Sequence, residues 1–264
     1  MRTVMLVMSS ILCAACIART GGSTIELPVA AAGPAVATAG QPLSFTSGPW
    51  KVVLTRATLH VGAVYLDQTA PVSGGQATGC YLTGTYLAQE TSSLDVDLLN
   101  PTPQAFAARA LAITAPPALV GQVWLTGGDI NTVSDPTPIL VIAGTASGAG
   151  GVFPFAGTIT IGANRQVSGG GSGAGGGDPI CKQRIVTPIP AALTIEETGG
   201  LLLRIDPRLY FTAIDFSQLP KGASTGSYEF SDDPTATGYF PTGLDLFSNL
   251  ESTAPYTFSW SDDL

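Results

Sequence analysis

"LSFTSGPWKVVLTRATLHVGAVYLDQ", residues 43–68, carries a side-chain alternation that specifies the class of structure. Along it Val53, Thr55, Ala57, Leu59 and Val61 fall on one side of an extended chain, while Arg56, Thr58 and His60 fall on the other. A period of two is the mark of a half-buried β-strand. Gly62 interrupts the pattern before "AVYL" and predicts a bulge or kink there.

The same grammar recurs along the chain. "CYLTGTYLA", "SLDVDLL", "GQVWLTG", "PILVIAGTA" and "VFPFAGTITIG" read as strands, as do "LTIEE", "LLLRID", "YFTAIDF", "SYEF" and "YTFSW" nearer the C-terminus. Turn residues separate them at the spacing of sandwiches and barrels. "TPQAFAARALAI" is the one helical candidate; its Ala-rich middle and β-like end allow at most a short helix. With 32 Gly and 20 Pro in 264 residues and 45% hydrophobic side chains, the composition favours many short strands and turns over long helices or disorder. The expectation is an all-β fold: an antiparallel β-sandwich, jelly-roll or immunoglobulin-like, with at most one short helix.

Upstream of this body, one positive charge (Arg2) is followed by a short apolar run and small residues, the grammar of a secretory signal over residues 1–15. The run is far shorter than the ~20 residues that a membrane-spanning helix needs. It ends in Leu12-Cys13-Ala14-Ala15-Cys16, which resembles the lipobox of bacterial lipoproteins. The resemblance implies that Cys16 is acylated and becomes the mature N-terminus. Cys13 departs from the pattern by standing where such boxes usually have Leu, so ordinary cleavage between Ala15 and Cys16 stays open. A redox or zinc role for Cys13 and Cys16 would need a folded scaffold and, for zinc, two further ligands, and the pair lies in a segment destined for removal. Stretches such as "LTRATLHVGAVYL", "ICKQRIVTPIP" and "LLLRIDPRLYFTAIDFS" are similar to uncharacterised exported envelope lipoproteins, a resemblance that transfers no catalytic residue. The neutral Ile17 after the anchor implies, by the same resemblance, an outer-membrane address facing the periplasm or the cell surface.

Residues 16–42, rich in Thr, Gly, Ala and Pro with one possible strand at "STIEL", read for the most part as a lipid-anchored flexible tether. Residues 43–264 read as one β-sandwich domain with a Gly-rich loop at 167–179, two domains separated by that Gly run being the alternative. Processing leaves Cys80 and Cys181 as the thiols of the exported body. An even pair in an oxidising compartment reads as one disulfide, with two buried free thiols as the alternative.

Lys and Arg number 11 against 19 Asp and Glu, a formal charge of −8. So few cations cannot build a phosphate-neutralising stripe, which excludes nucleic acid as a partner, and they give no attraction to anionic lipid headgroups. Membrane association therefore rests on the N-terminal lipid. No cofactor is implied.

Three groups of residues could carry chemistry. "GASTG" (222–226) matches G-x-S-x-G with Ser224 as nucleophile, but no helix follows, and the sole histidine, His60, is the only available base. His60 with the carboxylates Asp95 and Asp97, which share one face of "SLDVDLL", could ligate a metal. "RIDPRLYFTAIDF" gathers Arg204, Asp206, Arg208 and Asp215 amid Tyr210, Phe211 and Phe216. It could line a ligand groove, although a salt-bridged strand pair with aromatic core anchors is the simpler reading. The favoured function is a non-enzymatic, membrane-anchored binding or structural β-module for an unknown protein or small-molecule ligand. The alternatives are a periplasmic metal-binding protein using His60 and nearby carboxylates, and a secreted hydrolase using Ser224 or the Asp95/Asp97 pair as acid and base.

Overall fold

A computed structural model describes residues 22–70, 84–126, 135–161, 184–222, 227–230 and 241–264. Strands β1 (Thr24–Leu27), β2 (Val29–Ala32), β3 (Leu43–Ser47), β4 (Trp50–Val61) and β5 (Ala63–Asp67) come first. They are followed by β6 (Tyr86–Glu90), β7 (Leu94–Asp97), β8 (Gln104–Ala105), β9 (Ala110–Ile113) and β10 (Ala118–Trp124). Next are β11 (Asp135–Gly148), β12 (Gly151–Ile161), β13 (Ile185–Leu193) and β14 (Gly200–Ile205). Two 3-10 turns, Pro207–Phe211 and Phe216–Gln218, then precede β15 (Tyr228–Phe230), helix α1 (Pro241–Glu251) and β16 (Tyr256–Ser261). The fold is an all-β sandwich with one short α-helix among the described residues.

Strand β4 shows how the sequence builds it. Val52 and Leu54 point inward, and so do Ala57, Leu59 and Val61, whereas Thr55 and Arg56 are both exposed. The alternation expected from Val53 onward is therefore out of phase over the first half of the strand. The cause is an extra residue at Thr55: against β11, Leu54 pairs Gly144 and Arg56 pairs Ala143. A bulge of this kind resets the phase of every side chain that follows. β11 follows one edge of β4 throughout; along the other edge the first half of β4 pairs β3 and the second half pairs β7. At Gly62 the chain leaves that sheet; its N–H donates to the Trp124 carbonyl at 2.7 Å, and β5 begins in another sheet. The kink expected at Gly62 is this corner.

The sheets run β1-β9-β6-β5-β10-β13, then β15-β12-β11-β4-β3 with β7 also on β4, and β16-β14-β2-β8. Pairing is antiparallel except for β2 with β14 and β12 with β15. Buried side chains from all three sheets join one cluster running from Leu27 to Phe258.

Five expectations are corrected. Of "LTIEE" only Leu193 lies in a strand, as the last residue of β13. "TPQAFAARALAI" is not helical: Gln104–Ala105 and Ala110–Ile113 are strands β8 and β9, because edge pairing to β2, β1 and β6 outweighs alanine's helix propensity. The segment read mostly as a tether contains, besides β1 at the possible strand "STIEL", the unexpected strand β2, and both lie within sheets. β2 buries Val29 and Ala31 in the main cluster and Ala30 and Ala32 against Leu202, so its alanines reflect a strand covered on both faces. "YFTAIDF" forms the 3-10 turns, with Asp206 and Asp215 as their N-caps. Helix α1, with Leu246, Phe247 and Leu250 buried, was not expected; its Pro241 opening and Leu/Phe spacing are the signals that carry it.

Candidate functional site

His60 on β4 and Asp95 on β7 stand directly opposite in register, and His60 Nδ1 lies 2.7 Å from Asp95 Oδ1. Asp95 is 71% exposed, so the pair is a surface cross-strand contact worth less than about 1 kcal/mol. Asp97 does not join it. Its Oδ1 accepts the Leu99 N–H at 2.9 Å, closing the turn after β7. Asp135 lies near enough to His60 to feel its charge, and Arg184 Nη1 is 3.5 Å from Asp135 Oδ2. Burial alone would raise the Asp135 carboxyl, but hydrogen bonds from Thr137 and the charges of Arg184 and His60 hold it below the ordinary carboxylate range. Among the described residues no three His, Cys, Asp or Glu side chains converge as a metal site. Ser224, Cys16, Cys80 and Cys181 lie outside the described residues.

The charged aromatic stretch has a different outcome. Tyr210, Phe211 and Phe216 are fully buried anchors, as the simpler reading expected. Phe155 of β12 packs on Phe211 and Phe216 at ring separations of 5.7 and 5.1 Å. Arg208 and Asp206 pair through two nitrogens, Nη2 to Oδ2 at 2.6 Å and Nε to Oδ1 at 2.8 Å. The pair spans two residues of one turn and joins no second strand. Both side chains border open space, as the groove reading required.

That space begins as a cleft of about 420 Å³. Three turns wall it: Gly48-Pro49 between β3 and β4, residues 148–150 between β11 and β12, and Ala213–Ser217 between the 3-10 turns. Trp50 forms its floor, packed edge-on against Phe153 at 5.2 Å and Phe216 at 5.6 Å. Each wall is held in place. Gly48 has φ +54°, the left-handed value that a two-residue hairpin turn needs at its first central position. A Cβ on Gly148 would lie 2.7 Å from the Trp50 ring, so only glycine lets that turn close over the floor. Ala213 keeps φ +61°, a conformation that a residue with a Cβ adopts only when its surroundings impose it. Asn249 of α1 supplies part of that imposition, donating from Nδ2 to the carbonyls of Tyr210 at 2.9 Å and Thr212 at 2.8 Å. At the mouth, Asp215 Oδ1 accepts from the Ser217 N–H and hydroxyl at 3.0 and 2.7 Å, which leaves Oδ2 open.

A wider groove of about 720 Å³ continues from the cleft through Ser47, Gly48 and Ala213, between β3 and the Asp206–Thr212 segment. The sequence singled out Asp206, Arg208 and Asp215 as a possible groove but missed Trp50 and the two glycine turns. The similar segments "IDPRLYF" (205–211) and "IDFSQLP" (214–220) were the available signal, since in each the Asp at the second position caps a 3-10 turn.

No protein-family model matches the chain, and no curated protein matches it. Among solved structures the chain is similar to MbnP from Methylosinus trichosporium, at 12% identity and a TM-score of 0.36, over 90% of this chain and 99% of that one. A likeness at this level assigns no ligand or activity here.

Proposed function

We propose that this chain is an exported, lipid-anchored, non-enzymatic binding module whose ligand-contacting surface is the Trp50 cleft. The observation that carries the reading is the cleft itself: apolar floor, three rigid turn walls and one open carboxylate oxygen at the rim. Its volume falls within the range of small-molecule and side-chain sites, which are largely apolar with few polar groups to fix orientation. The anchor rests on the lipobox resemblance at Cys16.

The test is ligand-observed NMR with a set of aromatic amine fragments on wild type and Ala149→Trp. Ala149 is an exposed turn residue at the cleft wall, so an indole there fills the cleft without entering the core. Wild type should bind several fragments and the variant none of them. Fragment binding that survives Ala149→Trp, or no binding to wild type, overturns the assignment. Turnover of ester, glycoside or peptide substrates that His60→Ala or Ser224→Ala abolishes would promote the hydrolase reading instead.

A further inference from the structure

We infer that the occupant of the groove is an extended, basic polypeptide segment that adds as a strand to the free edge of β3 and seats one bulky apolar side chain in the Trp50 cleft. This rests on the cleft being the ligand site and goes further by naming the partner's chemistry.

Strand β3 ends its sheet. Ser47 pairs Trp50 across the two-residue turn, so Leu43, Phe45 and Ser47 exchange main-chain hydrogen bonds with β4. The N–H and C=O groups of Ser44 and Thr46 therefore face away from β4. Among the described residues they meet no hydrogen-bond partner, and both residues line the wider groove. An unpaired row of this kind is the template for strand addition, in which main-chain bonds supply affinity and side-chain pockets supply selectivity. The pocket lies in line with it, because the groove opens into the cleft past Ser47 and Gly48.

Charge selects the occupant. Arg208 matches Asp206, so the uncompensated group is the Asp215 carboxylate at the cleft mouth. A lysine or arginine beside the apolar anchor would meet its open oxygen. Edge-to-edge pairing of two copies would instead bring together two chains of −8 each.

The test is fluorescence anisotropy with a fluorescein-labelled peptide of alternating valine and threonine, its central tryptophan flanked by lysines. A glutamate-flanked counterpart and a version N-methylated at alternate main-chain nitrogens serve as controls. The lysine peptide should bind, and the glutamate and N-methylated forms should each bind at least about tenfold more weakly. Asp215→Asn keeps the cap on Ser217 but should remove the preference for lysine over glutamate. Thr46→Pro, at a position whose N–H serves no ladder bond, should weaken binding about tenfold. N-methylation or Thr46→Pro without effect overturns strand addition. So does the absence of peptide binding up to about 1 mM, or a wild-type dimer that Thr46→Pro dissociates. If fragments occupy the cleft while the peptide fails, the binding-module reading stands and this inference falls.

Discussion

Asp67 has no exposed surface, yet it carries a carboxylate. Gln122 Nε2 donates to its Oδ2 at 2.6 Å, Gln122 Oε1 accepts from the Trp124 indole at 3.1 Å, and among the described residues Asp67 Oδ1 has no partner. Burial raises the carboxyl to about 6, against the lowering effect of the Gln122 bond. With the folded value above the unfolded one, the native state holds the proton more tightly between about pH 4 and pH 6. Stability therefore falls as pH rises through that window and is level above it. Asp67→Asn keeps an acceptor for Gln122 and removes the charge. In urea titrations it should gain on the order of 1–3 kcal/mol at pH 7 and almost nothing near pH 4. A variant less stable than wild type at pH 7 would mean that the ionised form is solvated in the fold.

At the scale of elements, the cleft wall is a property of α1 as much as of the 3-10 turns. The carbonyls of Tyr210 and Thr212 sit at the end of the first turn, where helical bonding runs out, and Asn249 satisfies both. On the other side the Ser47 hydroxyl donates to the Phe211 carbonyl at 2.6 Å, tying the β3–β4 hairpin to the same segment. Asn249→Ala should cost about 1–2 kcal/mol by calorimetry and release the Ala213 backbone from its left-handed conformation. The diagnostic readout is amide exchange. Thr212 and Ile214 should lose protection first, and fragment affinity at the Trp50 cleft should fall while the distant sheet core stays protected. Uniform loss of protection would show that the segment unfolds only with the whole molecule.

Across the whole molecule, sheets meet where glycine leaves room. A Cβ on Gly121 of β10 would overlap the Phe258 ring of β16, so the spacing between those two sheets is set by a missing side chain. Gly121→Ala should cost about 1–3 kcal/mol through overpacking. Phe258→Leu should be less harmful in that background than in wild type, a coupling that a double-mutant cycle measures. Additive effects would place the two residues out of contact. Outside the described residues, the lipobox resemblance predicts that intact-mass analysis of wild type from the native envelope finds a lipid mass at Cys16 and that Cys16→Ser lacks it. Peptide mapping without reductant should find Cys80 joined to Cys181, and reduction should remove about 2–4 kcal/mol of stability.

The sequence by itself determined that this chain is all-β, because period-two patterning and frequent Gly and Pro are local properties that each strand carries alone. It also located most strand segments, and it marked Gly62 as a bulge or kink. Tertiary structure decided everything that depends on a partner across space. The bulge at Thr55 is defined only against β11, and the same four residues at β2 read as linker until β14 and β8 flank them. The site divides in the same way. Asp206, Arg208 and Asp215 were legible because charges amid aromatics stand out in a chain with so few of them. Trp50 and the turns around Gly48 and Gly148 were not, since a cleft is made by segments far apart in the chain, near residues 48, 149 and 215, meeting at one end of a sheet. Local patterning records which face of an element is buried; only the packing of the sheets and the 207–218 segment determines what gap they leave between them.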